Sequence, residues 1–163
     1  MKRTNDSLLI KILSVICILS VTAAAVFLFF GKRQIKEEFV PPPFDSSAIT
    51  GTPEVQEKGN WQSLDTDAFS VSVYTDVYIS DNYAEIMLHN PSDNSCLLML
   101  RMLDGDKNII AHTGLIRPDE YISRVKLSAD CFSEDAAVLK IMAYEPDTYY
   151  SAGAVSVNAD IFV

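Results

Sequence analysis

The pattern of apolar and polar residues divides this chain in two. From Ile12 to Phe30 (ILSVICILSVTAAAVFLFF) there is no charge and no polar face, the pattern of a helix greasy all round. From Phe69 onward apolar residues tend to recur at every second position, the period of a strand with one buried face. Phe69, Val71 and Val73 share one face of the first strand. Val77 and Ile79 follow, up to an acidic turn at Asp81-Asn82. Ala84, Ile86 and Leu88 point inward in the next strand, which Asn90-Pro91 ends. Leu97 to Leu103 is apolar on both faces except at Arg101, as in a central strand. Asp104-Gly105 predicts a hairpin, with Asn108 to His112 returning. Arg117-Pro118-Asp119-Glu120 reads as a turn, and the strand after it places Tyr121, Ser123, Val125 and Leu127 on one side. Val138 to Tyr144 is another strand, and Val155, Val157, Ala159, Ile161 and Val163 alternate in the last. About seven strands with no helical period between them predict an all-β body. The expected architecture is an antiparallel immunoglobulin-like two-sheet sandwich preceded by one N-terminal transmembrane helix; a small barrel is the rival.

The greasy run sets the expected organisation. A helix from Ile12 to Phe30 spans about 28 Å, close to the thickness of a bilayer's hydrocarbon core. Ala23-Ala24-Ala25 is followed by Val26 to Phe30, so a cut there falls inside the segment. That favours an uncleaved signal anchor over a signal peptide. Bulky Ile16 before Cys17 argues against lipid attachment. The reading is a short cytoplasmic tail over residues 1–11, a transmembrane anchor over 12–30, a juxtamembrane segment and Pro/Gly/Ser/Thr-rich linker over 31–60, and an extracytoplasmic domain over 61–163. Pro41-Pro42-Pro43 stops any helix, since these residues lack amide donors. Trp61 and Leu64 are the first residues expected to dock on the body. The expected location is the cell membrane, single-pass, with the amino terminus inside and the lipid bilayer as one partner.

Charge sharpens this division. Residues 1–36 hold Lys2, Arg3, Lys11, Lys32, Arg33 and Lys36 against Asp6 alone, so the net −9 of the chain conceals −14 over the remainder. An acidic body disfavours nucleic acid, which selects positive surfaces. Cys96 and Cys131 are a candidate disulfide pair if the domain lies in an oxidising compartment.

Signatures of catalysis are missing from the sequence. His89 and His112 are the two histidines, and neither sits in a nucleophile or metal motif. His89 falls on the outward phase of its strand and reads as a surface residue. Asp104-Gly-Asp106-Lys-Asn108 begins like a calcium loop, but its sixth position is Ile109 and its twelfth Leu115, so the turn and the bidentate ligand are absent. Asp130 and Glu134-Asp135, around Cys131, read as a solvated loop. No cofactor and no enzyme activity are expected. The suggestive surface is Tyr144-Glu-Pro-Asp-Thr-Tyr149-Tyr150, where tyrosines offer contact area with a polar handle.

Three phrases, Ile49-Thr50-Gly51-Thr52-Pro53-Glu54, Gly114-Leu115-Ile116-Arg117-Pro118 and Met142-Ala143-Tyr144-Glu145-Pro146, together resemble single-pass, surface-exposed β-sandwich proteins of Gram-positive bacteria. The resemblance implies a cell-envelope location and carries over no functional residue. The expected function is a membrane-anchored, non-catalytic protein-interaction or assembly module, with Tyr144, Tyr149 and Tyr150 as the contact. The alternatives are a structural subunit of an envelope complex and a carbohydrate-binding accessory domain.

Overall fold

The computed structural model describes residues 10–20, 22, 39–128 and 135–163. The chain forms two compact units, residues 1–40 and 41–163.

In the first unit, residues 10–20 and Thr22 are helical. The Ser14 hydroxyl donates to the Ile10 carbonyl (2.9 Å) and that of Thr22 to Ile18 (3.0 Å). The polar side chains of the greasy run thus fold back on their own helix. Residues 10–20 measure about 16 Å, roughly half of a bilayer core. Among the described residues no helix is long and apolar enough to cross a membrane. This corrects the expected transmembrane anchor, and with it the bilayer partner, the single-pass location and the placement of one side inside and the other outside. Residues 21 and 23–30 of that expected span lie outside the described residues.

The second unit starts at Pro41, ahead of Trp61, and is mostly strand. In chain order its strands are β1 (Ile49–Thr50), β2 (Trp61–Asp65), β3 (Ser70–Tyr74), β4 (Asp76–Ser80), β5 (Tyr83–Asn90), β6 (Leu97–Leu103), β7 (Ile109–His112), β8 (Glu120–Lys126), β9 (Ala136–Tyr144) and β10 (Ser151–Phe162). They join in one continuous curled sheet, a half-barrel, in the order β1-β8-β5-β4-β10-β9-β6-β7, with β2 paired to β3 and β3 to β5. The expected two-sheet sandwich is therefore corrected. The join that a sandwich lacks is β10 on β4, a parallel pairing with Ile161 opposite Val77. Period-two alternation reports which face a residue occupies and not which strand lies beside it, so sandwich and curled sheet read alike.

The inner face of the curl is the core. Val71, Val73, Ile86, Leu88, Leu98, Leu100, Met102, Leu139 and Ile141 are fully buried in one cluster. Asp81 and Asn82 both adopt positive φ (51° and 64°) in the two-residue turn between Ser80 and Tyr83, the hairpin geometry that twisted strands favour. The β6–β7 hairpin turns differently. Its left-handed residue is Lys107 (φ 68°), with the Lys107 amide donating to the Asp104 carbonyl. Of Tyr121, Ser123, Val125 and Leu127, expected to share one face, Val125 and Leu127 are buried, whereas Tyr121 and Ser123 are half-buried and Ile122 between them is buried. A bulge in the facing β5, between Glu85 and Leu88, shifts the pairing there by one residue.

Isolated bridges tie β7 and the segment after it to their neighbours. Ala111 bridges Leu127 and the Ser128 amide donates to the Ile110 carbonyl (2.7 Å). Ile116 and Leu98 exchange two backbone bonds (2.9 and 3.0 Å). Between those points the Leu100 amide donates to the Thr113 hydroxyl (2.9 Å), which stands in for a backbone acceptor while Gly114 and Leu115 bow outward.

His89 is buried between Ser72 of β3 and Tyr121 of β8, and its Nε2 has no hydrogen-bond partner among the described residues. This corrects its surface placement. Burial lowers its pKa below the ordinary 6.5, opposed by the charges of Asp119 and Asp93. The neutral ring is thus the native form, and the unfolded chain takes up a proton first as pH falls. Stability is therefore expected to be full above 6.5 and to decline as pH drops below it. Thermal melts from pH 8 to pH 5 test this: His89→Gln is expected to flatten the acid side of the profile, and an unchanged slope would refute the assignment.

Candidate functional site

The site with the most chemistry lies on the outer face of β6 and β7. Alternation along β6 puts Leu98, Leu100 and Met102 inside and leaves Leu97, Met99, Arg101 and Leu103 on the outer face. Arg101 is the one charged residue of that strand. Across from it on β7 stands His112, and across on β9 stands Lys140.

A strap formed by residues 42–46 runs over this face. It is zipped to the outward bow after β7: the Leu115 amide donates to the Pro43 carbonyl and the Asp45 amide to the Leu115 carbonyl, both at 2.9 Å. The Asp45 carboxylate accepts from the Gly114 amide (2.7 Å) on one oxygen and from the Ser47 amide and hydroxyl (2.9 and 2.6 Å) on the other. Burial works against its charge, yet the Ser47 hydroxyl, the Gly114 and Ser47 amides and nearby His112 together hold its carboxyl below the usual range. The Arg117 guanidinium lies 3.7 Å from the centre of the Phe44 ring, a cation–π contact that pins the strap's middle.

Between strap and sheet is a groove of about 580 Å3. Met99 and Arg101 belong to its sheet side, Ile109 and His112 to β7, and Pro42 to Ser46 form its wall. Arg101 is half-buried. Among the described residues it has no ion pair, whereas Lys58 pairs with Glu85 (2.8 Å) and Arg117 with Glu120 (3.4 Å). His112 Nδ1 lies 3.3 Å from the Thr113 carbonyl. A carbonyl only accepts, so Nδ1 is the donor in that bond.

The residues singled out from the sequence fall elsewhere. Tyr144 and Tyr149 are half-buried and pack with Met142 against Leu97, Met99 and Leu115, while Tyr150 is 72% exposed. Two of the three rings thus cover the chain's own outer-face cluster, and the expected protein partner is not supported. Cys96 is buried in the core just before β6, and burial raises its thiol pKa; Cys131 lies outside the described residues. Asp104 spends both oxygens on Asn108, accepting from its amide (2.7 Å) and its side chain (3.0 Å). Among the described residues no cluster of His, Cys, Asp and Glu is placed to hold a metal ion; Asp130 and Glu134 lie outside them. The groove's one legible signal was Arg101, a lone charge in an apolar strand. The strap was hidden in a proline-rich stretch read as linker.

No family model matches the chain, and no curated protein or solved structure matches it. With a curled sheet in place of a sandwich and no spanning helix among the described residues, the resemblance to Gram-positive surface proteins is withdrawn. The membrane-anchored interaction module, and the envelope subunit and carbohydrate-binding domain offered beside it, are withdrawn with it.

Proposed function

We propose that the second unit binds, without transforming it, a small organic anion that carries an apolar body. The observation that carries this reading is Arg101, a half-buried guanidinium on the groove's sheet side with no ion pair among the described residues. A guanidinium presents a planar fork of donors that suits an anion's paired oxygens. Met99 and Ile109 beside it offer apolar contact. The groove's volume falls in the range of small-molecule sites. Binding is favoured over catalysis because Asp45 uses its oxygens to hold the strap and His112 turns Nδ1 to a backbone carbonyl. Neither orients the other as an acid–base couple.

Hexanoate is a suitable probe, with one carboxylate on an apolar chain. Titrated into the full chain, it is expected to shift the NMR amide signals of Met99, Arg101, Ile109 and His112. Arg101→Gln is expected to weaken binding roughly ten- to a hundredfold, the range for a hydrogen bond to a charged group. Shifts scattered over the surface, or affinity untouched by the substitution, would sink the reading.

A further inference from the structure

We infer that the anion preferred by this groove is a phosphate monoester, held by Arg101 within the groove and by Lys140, an exposed residue that stands beside Arg101 on β9 outside the groove's lining; the inference rests on the groove reading above. His112, Arg101 and Lys140 form one row across β7, β6 and β9, each directly opposite the next. Directly opposed residues in antiparallel strands share a face, with Cβ atoms about 5 Å apart, and like charges so placed repel. Two cations therefore sit side by side at a cost, on a body whose net charge beyond residue 36 is −14.

The neighbouring positions within the sheet do not relieve that repulsion, and the one acid of the groove's lining, Asp45 of the strap, has its oxygens on Ser47 and Gly114. On one side of the row Met99 faces Met142; on the other Leu103 faces Val138. Across β10 the row ends on Ser156. Among the described residues neither Arg101 nor Lys140 takes part in an ion pair. A strip of positive charge is left between two apolar rows, a surface complementary to an amphiphilic anion.

The number of charges selects the headgroup. A carboxylate offsets one of the two cations. A phosphate monoester carries close to two negative charges at neutral pH and three terminal oxygens. The Arg101 fork takes two oxygens in parallel, and the Lys140 ammonium, a compact charge with freely rotating donors, takes the third. The organic group then lies along Met99 and Ile109 of the groove's lining.

Calorimetric titration of the full chain with hexyl phosphate and with hexanoate, at neutral pH and low salt, tests this. Hexyl phosphate is expected to bind about tenfold tighter than hexanoate. Lys140→Gln is expected to bring the two within about twofold, since the second cation is gone. Arg101→Gln is expected to weaken both probes, and Lys126→Gln, an exposed lysine outside the row, to alter neither. Equal affinity for the two probes with no effect of Lys140→Gln overturns the phosphate inference and leaves the groove reading standing. Failure of both probes to bind, or indifference of both to Arg101→Gln, overturns the two together.

Discussion

Asn90→Ala is expected to lower the stability of the strand-rich body by about 3 kcal/mol and its melting temperature by roughly 10 °C. Asn90 is fully buried at the end of β5. Its side-chain amide donates to the Cys96 carbonyl (3.0 Å) and the Ile116 carbonyl (3.2 Å), and its oxygen accepts from the Asn94 amide (2.6 Å). Asn94 in turn mimics a strand toward Ser70, donating to its carbonyl (2.6 Å) and accepting from its amide (3.0 Å). One residue therefore ties β5 to the approach to β6, to the segment beyond β7 and, through Asn94, to β3. Removing it strands buried polar groups out of reach of solvent, and groups in such a network weaken together. The Ile116 carbonyl still accepts from the Leu98 amide, so the largest loss falls on Cys96 and Asn94. Urea unfolding followed by circular dichroism measures the change. A loss below about 1 kcal/mol would mean that solvent enters and replaces the amide.

Such a residue marks the limit of what the sequence disclosed. Asn90-Pro91 is legible as a strand end, because proline cannot continue a ladder, and the strand does end there. Which carbonyls the asparagine meets depends on strands far apart in the chain and leaves no local trace. The same holds for the fold. Inward positions such as Ala84, Ile86 and Leu88 followed from alternation and are buried. The parallel pairing of β10 with β4, which turns two expected sheets into one, involves residues Asp76 to Tyr78 and Asp160 to Phe162, and no period encodes it. Alternation also misses the burial of His89: the period of Ala84, Ile86 and Leu88 is kept, yet His89, on the outward phase between Ser72 of β3 and Tyr121 of β8, is buried as well. Of the groove, Arg101 was visible as an anomaly. Lys140 and His112 gained meaning only when register set them on either side of it.

The strap is the part of the site most open to a single atom. Gly114→Ala is expected to release it, at a loss of about 2–3 kcal/mol and with the groove's wall gone. A methyl group at Gly114 would come within 2.6 Å of the Asp45 amide nitrogen and 2.8 Å of the Pro43 carbonyl oxygen. Both are backbone atoms, which cannot swing aside as a long side chain does, so the strap itself must move. Moving it breaks the bonds from Leu115 to Pro43 and from Asp45 to Leu115, together with the grip of Asp45 on Gly114. The sheet beneath keeps its own ties, because Thr113 still pairs with Leu100 and Ile116 with Leu98. Two readouts separate strap from sheet. Chymotrypsin is expected to cut after Phe44 in the variant far faster than in the parent, where that ring lies under Arg117. Hexanoate is expected to lose its effect on the Met99 and Arg101 signals while the β-sheet circular dichroism persists. Gly51→Ala is the control, with φ at +107° and nothing within 4 Å of the added carbon. It carries a backbone penalty of about 1–3 kcal/mol and leaves the strap seated. Equal cleavage at Phe44 in the parent and the Gly114 variant would show that residues 42–46 do not depend on that contact, and the groove would lose its wall as a structural claim.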